Sequence, residues 1–367
     1  MKPTMFVVVL VALGVPAYAQ INLGGALKKG LETKQSVDQL NISDEDERKI
    51  GEVVSLKIRQ RFGVVQDANV HKYVALVGTT IAKTSDRPNL DWTFVVLDTD
   101  GVNAFASPGG LVHITRGALG LVHNEAELAG VLAHEIGHVT RKHAINAIRK
   151  NKAVQLGSKE ALGDKGQLLD QLANRAYEIV LENSFNRDDE MDADKVSVEL
   201  TQKVGYAPGS LGDFLTRLDD RNKDTPTKNG LFASHPDTKE RISKVKQMAS
   251  ASKSVAVVEA RYKSKITYDA KPITAITAAD GSAKPAGSSA STKKTEPEKT
   301  EEPKKKGFGL GGLTQTVTPE KEGTQVSSSG GARGIGADRD AKGGSNPNLV
   351  KTTVSADELA TFKQGIV

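Results

Sequence analysis

The run His134-Glu135-Ile136-Gly137-His138 constrains this chain more than any other stretch. Residues four apart lie on one face of an α-helix, so His134 and His138 meet at one point only if the run is helical. Its surroundings supply that helix. Asn124, followed three residues later by Glu127, reads as an N-cap with its capping-box partner and places a helix start at Glu125. Leu128, Val131, Leu132, Ile136 and Val139 recur at three- and four-residue steps, which predicts one buried stripe. Gly137 costs about 1 kcal/mol of helix propensity against alanine. It either admits a second segment at close range or is simply tolerated.

Two imidazoles on one face suit Zn²⁺ and leave room for a third protein ligand and a water. Glu135 stands next to the first of them and reaches such a water as a base, the H-E-x-x-H order of zinc peptidases. A chance match with solvent-facing histidines is the plain alternative. The three-histidine extension of the motif is excluded, because the positions three and six beyond His138 hold Arg141 and Ala144. His143, five beyond, reads as a surface residue or one standing behind a ligand. The next candidate for a third ligand is a carboxylate on a later helix. Residues 186–194 are dense in acids and open a run with apolar Met191, Val196, Val198 and Leu200. Acids also favour helix N-termini electrostatically, and Asp188, Asp189 and Asp192 are read in that way.

At Glu190-Met191-Asp192-Ala193-Asp194 the chain resembles the M48 family of zinc metallopeptidases, which pair H-E-x-x-H with a downstream E-x-x-A-D. The resemblance implies one Zn²⁺ per chain, held by His134, His138 and Glu190. It also implies that Asp194 orients a ligand histidine from behind. Residues 103–110 match the family's N-A-F-A-x-P-G-G signature. By resemblance, Asn103, Ala104, Phe105, Gly109 and Gly110 are then substrate-binding residues on or beside an edge strand. Such a strand pairs with an extended peptide through main-chain bonds that do not read side chains. A turn built on Pro108 and paired glycines is the plain alternative.

Ser234-His235-Pro236, followed by Thr238, Glu240 and Arg241, is similar to the family's S-H-P segment. It implies that His235 is a second catalytic residue, stabilising the oxyanion or occupying the open zinc position at rest. The implied reaction is zinc-assisted peptide hydrolysis with Glu135 moving the proton. Unfolded or misfolded envelope proteins are the expected substrates. Two other classes compete: a chaperone-like binder with latched or structural zinc, and a metal-dependent scaffold whose tail is the active part. Glu135 argues against both, since a structural zinc site needs no base beside it.

Met1–Ala19 reads as a cleavable signal peptide, with Lys2, an apolar stretch from Met5 to Val15, and Ala17-Tyr18-Ala19 as the cleavage site. The stretch is short for a membrane span, and no other run approaches it, so no transmembrane segment is expected in the mature chain. The periplasm is the expected compartment, with secretion as the alternative. The absence of cysteine excludes disulfides and a lipid-anchored cysteine. The formal charge of +5 is not gathered into a patch, since basic and acidic residues alternate around Lys293–Lys306. With few aromatics interleaved among the basic residues, nucleic acid is excluded as a partner. Oligomeric state is left open.

The fold class expected is α+β: a mainly helical, zincin-like catalytic domain over residues 41–269 with a small β-sheet. Roughly 200 residues suffice for one well-buried core. A mobile arm, residues 20–40, precedes the domain, and a low-complexity, disordered tail, residues 270–367, follows it. Ser43 caps a helix with Ile50, Val54 and Ile58 inside; a second helix covers Asn69–Lys83. Trp92–Leu97 and Leu111–Thr115 read as strands. Asn151–Gln171 is interrupted by Gly157, Gly163 and Gly166, so it is a loop or broken helix, either gating the cleft or a surface excursion. Ser355–Ile366 suggests a short capped helix, and no helical-hairpin repeat of about 34 residues is visible.

Overall fold

The computed structural model describes residues 42–150, 165–181, 185–223, 235, 238–271 and 346–366. The expected signal peptide, the arm, residues 151–164 of the candidate gate and most of the tail lie outside the described residues.

The fold is mostly helical around one small sheet, as the patterning predicts. Helix α1 (Asp44–Phe62) starts where Ser43 accepts a bond from the Asp46 amide, and it buries Ile50, Val54 and Ile58. Helix α2 (Ala68–Ala82) is capped by Asp67 and buries Val70, Val74, Val77 and Ile81. Strands β1 (Thr93–Leu97), β2 (Ala104–Ser107) and β3 (Leu111–Thr115) follow in the spatial order β1-β3-β2. β1 runs parallel to β3, with Phe94 beside Val112; β2 runs antiparallel to it, with Phe105 beside His113. The β2–β3 turn demands glycine, because Gly109 and Gly110 adopt φ of 74° and 95°. β2 is an edge: among the described residues no strand pairs with its outer side.

A short helix α3 (Arg116–Leu121) leads to α4 (Glu125–Thr140), which carries the two histidines. Asn124 caps α4 through the Glu127 amide, and the Glu127 carboxylate takes the His123 amide at 2.8 Å. The start is therefore the expected one. The burial is not, because every residue from Glu125 to Val139 is buried where one apolar stripe was expected. The reason is that α2, β2, α7 (Arg187–Val204) and α8 (Ser210–Asn222) surround the helix. Gly137 is a close-approach position: a Cβ there would lie 3.1 Å from the Ala193 Cα on α7.

Helix α5 (His143–Lys150) turns away from the end of α4, and α6 (Lys165–Leu181) lies against α1 and β2. Helices α9 (Thr238–Ala249) and α10 (Glu259–Lys265) complete the domain. Among the described residues, no helix is long and apolar enough to cross a membrane.

The expectation of a disordered tail does not extend to residues 346–366. The Val64 amide bonds the Asn346 carbonyl at 2.7 Å, and helix α11 (Ala356–Gln364) begins at a full capping box of Ser355 and Glu358. Phe362 packs edge-on to Tyr73 and under the Arg261 guanidinium, and Ile366 is buried. These two apolar side chains supply what the rest of the tail's composition lacks.

Candidate metal centre

One helical turn on α4 brings the His134 and His138 Nε2 atoms to 3.1 Å. The third donor comes from α7. Asn186 accepts from the Asp189 amide and sets the start of that helix, so Glu190 sits in its first turn and faces α4. Its carboxylate lies 3.5 Å from His134 Nε2 and 3.4 Å from His138 Nε2. His235 closes the group, with Nδ1 2.9 Å from Glu190 Oε1 and 3.3 Å from His134 Nε2. All four are buried, and one donor atom from each lies within 4.8 Å of every other.

These separations fit zinc. With Zn–N and Zn–O bonds of about 2.0–2.1 Å, the edges of a ligand tetrahedron are roughly 3.3 Å, and the contacts between the donors run from 2.9 to 3.5 Å. The charges fit as well. Glu135, Glu190 and Asp194 are three buried carboxylates against one buried guanidinium, that of Arg241. A divalent cation cancels the remainder, and buried charge persists only when compensated.

Asp194, one turn along α7 from Glu190, places Oδ1 3.0 Å from His134 Nδ1. Arg241, from the first turn of α9, grips Asp194 with two bonds of 2.8 Å. It also reaches Glu190 Oε2 at 2.7 Å and the His235 carbonyl at 3.4 Å. One guanidinium thus orders a ligand carboxylate, the carboxylate behind a ligand histidine and the backbone of His235. Burial opposes charge on Asp194, but the Arg241 and His134 charges outweigh it and hold the carboxyl at about 2. Burial likewise pulls His134 down; the Asp194 and Glu190 carboxylates overcome it and raise the imidazole to about 9. The field at this point favours positive charge. At His138 burial wins and its proton affinity falls well below the usual range.

Glu135 faces the cluster from the same helix. Neither carboxylate oxygen has a hydrogen-bond partner among the described residues, and Oε1 lies 3.7 Å from His235 Nε2. Burial raises its pKa above the ordinary carboxylate value, with His235 and His134 acting in the opposite direction.

The remaining sequence candidates lie on β2 and in the segments that enter and leave it. Asn103 is tied into the sheet: its amide bonds Thr115 Oγ1, and its Oδ1 takes the Ala104 amide. Ala104 and Phe105 are on β2, and the Phe105 ring stacks on Phe62 at 5.8 Å. The Gly109 amide bonds Glu47 Oε1 at 3.1 Å, and the Gly110 carbonyl accepts from the Thr93 amide.

Sequence reasoning assigned no role to two side chains at the centre. Arg241 was visible only as one letter after the S-H-P run; the signal for it is the surplus of acids at 190–194, which burial obliges some cation to meet. Phe185 stacks on the His138 ring with centroids 4.0 Å apart. Nothing local distinguishes it from any core phenylalanine.

Residues 68–249 match the model of peptidase family M48. The chain is 25% identical over 225 residues to the beta-barrel assembly-enhancing protease of Yersinia pestis, covering 58% of this chain and 46% of that protein. It is 28% identical to the metalloprotease YcaL of Escherichia coli, over 44% of this chain and 63% of that one. The mitochondrial metalloendopeptidase OMA1 of Schizosaccharomyces pombe is 29% identical, over 48% of this chain and 52% of its own length. The chain spans about half the length of the curated relatives it matches. With the paired histidines, the downstream Glu190 and their zinc-sized separations falling inside the matched segment, the chain carries a peptidase family M48 domain, that of a zinc-dependent family of metallopeptidases.

Proposed function

We propose that this protein is a zinc metalloendopeptidase of the bacterial envelope that hydrolyses unfolded or misfolded proteins in quality control. The observation that carries the reading is the buried Glu135 carboxylate, without a hydrogen bond among the described residues, beside four metal-type donors. A buried carboxylate without a hydrogen bond costs several kcal/mol, an arrangement kept where chemistry needs an acceptor.

In this reading His134, His138 and Glu190 hold zinc, which supplies Lewis-acid activation of a water and polarisation of the scissile carbonyl. Glu135 accepts the proton of the attacking water, and its raised pKa helps it pass that proton to the leaving amine. His235 has Nδ1 2.9 Å from Glu190 and 3.3 Å from His134, which supports the resting-state role: it would help hold zinc at rest and would have to give way to substrate. The other role that the resemblance implies for His235 is stabilisation of the oxyanion. The outer side of β2 pairs with the peptide main chain. Relatives named for beta-barrel assembly support an envelope location, and Met1–Ala19 as an export signal fits it.

Glu135→Gln is expected to keep stoichiometric zinc while casein digestion falls at least roughly 10²-fold. Chelator should abolish the wild-type activity. Substantial digestion by the Glu135→Gln variant would remove Glu135 as the base.

A second reading draws on His235. Four protein donors meeting at one point is the form of a closed, structural zinc site. A chaperone-like binder with latched zinc would suppress aggregation of an unfolded protein equally well as the wild type and as the Glu135→Gln variant, and would cleave nothing in either form.

A further inference from the structure

We propose that His143 is a positioning residue for the metal centre, holding His138 in its metal-binding tautomer and passing the constraint to acids on α7. The proposal rests on His138 being a zinc ligand. His143 is buried, and its Nδ1 lies 3.0 Å from His138 Nδ1. On the far side its Nε2 lies 3.4 Å from Asp192 Oδ2 and 3.8 Å from Asp189 Oδ1.

The direction of the hydrogen bonds follows from the ligand geometry. His138 turns Nε2 toward His134 and Glu190. A neutral imidazole that gives Nε2 to a metal must carry its hydrogen on Nδ1. That hydrogen is donated to His143 Nδ1, so His143 in turn carries its own hydrogen on Nε2, pointing to Asp192 and Asp189. Every member has one allowed tautomer. Phe185 stacks on the His138 face with centroids 4.0 Å apart.

This outer support differs from that of the other ligand histidine. His134 leans on a buried carboxylate, Asp194, directly. His138 reaches its carboxylates through an uncharged ring, which orients it without placing another full charge in the centre. Both routes end on α7, the helix that supplies Glu190. The relay therefore also fixes the distance between the two ligand-bearing helices.

Five residues is not same-face spacing on a straight helix. His143 reaches His138 because α4 stops at Thr140 and Lys142 adopts a left-handed φ of 54°, which folds the chain back into α5. A left-handed lysine costs about 1–2 kcal/mol, and the relay is what that turn delivers.

The test is zinc affinity and the absorption spectrum of cobalt substituted for zinc, measured on the full chain. His143→Leu is expected to weaken zinc binding roughly 10- to 100-fold and to shift the cobalt bands. His143→Asn, whose Oδ1 stands where Nδ1 stood, should restore affinity to near wild type. If His143→Leu does not fold, the Asp189→Asn, Asp192→Asn double variant carries the same test with several-fold faster zinc loss to chelator. Wild-type affinity and spectrum in His143→Leu, or unchanged zinc loss in the double variant, overturns the relay alone. A wild-type chain that takes up no zinc, or His138→Ala that keeps it, overturns the ligand set and the relay with it.

Discussion

His113 in the sheet and His134 in the metal centre are both shut away from water, yet their imidazoles are driven in opposite directions. At His113 burial dominates, with Arg59 adding to it, and the pKa falls to about 3. The ring is a neutral core side chain whose Nε2 meets Ser55 Oγ at 2.9 Å. At His134 the same burial is overcome by Asp194 and Glu190, and the imidazole is raised to about 9. Burial by itself thus makes a histidine inert. A cation site arises only where carboxylates are brought to the ring and are themselves held, here by Arg241.

The largest effect on this contrast is expected from Asp194→Ala. It strips His134 of its carboxylate and leaves Arg241 buried with half its partners, which costs about 3–5 kcal/mol of stability. Urea unfolding measures it, and a cost below about 1 kcal/mol would show that the clamp does not hold the centre together. Asp192, partly exposed, offers the internal control, with an expected loss under about 1 kcal/mol.

His113 sharpens the other half through pH. Its folded pKa is depressed below the unfolded value of about 6.5, so the unfolded chain binds the extra proton between that value and about 3. Stability is therefore full above pH about 6.5 and declines as pH falls, by up to about 1.4 kcal/mol per pH unit. Measured in chelator, so that metal loss does not contribute, His113→Gln should remove that increment of slope. Equal slopes in the two proteins would mean that His113 is not held neutral.

Gly137→Val is a smaller change at the joint between α4 and α7. The added carbons meet Ala193 and Val196, where even a Cβ stands at 3.1 and 3.2 Å. Overpacking of this kind costs about 1–3 kcal/mol, and it should loosen zinc by moving Glu190 away from the histidines. Unaltered thermal unfolding would show that the two helices can separate freely.

Much of this was legible in the residues. The caps at Ser43 and Asn124 and the apolar periods of α1 and α2 are local signals, and the helices begin where they indicate. The mainly helical α+β class and the M48 domain follow from patterns and motifs of the same kind. The failures share a cause. α4 has an apolar stripe in sequence, but its histidines and acids are buried too, because their partners arrive from α2, α7, α8, α10 and His235. The role of Arg241 depends on a contact across 47 residues with Asp194, and no local pattern carries it. The packing of residues 346–366 onto α2 is equally non-local.

What the sequence determined alone is the chemistry available: two histidines one turn apart, a base between them, and a carboxylate run downstream. Those rest on helical periodicity, which neighbouring residues impose without help from the rest of the fold. Tertiary structure decided which of seven histidines share a point in space and which are isolated. It did so through a left-handed Lys142, a close contact at Gly137 and a buried arginine, because distances between helices depend on packing that no single helix encodes.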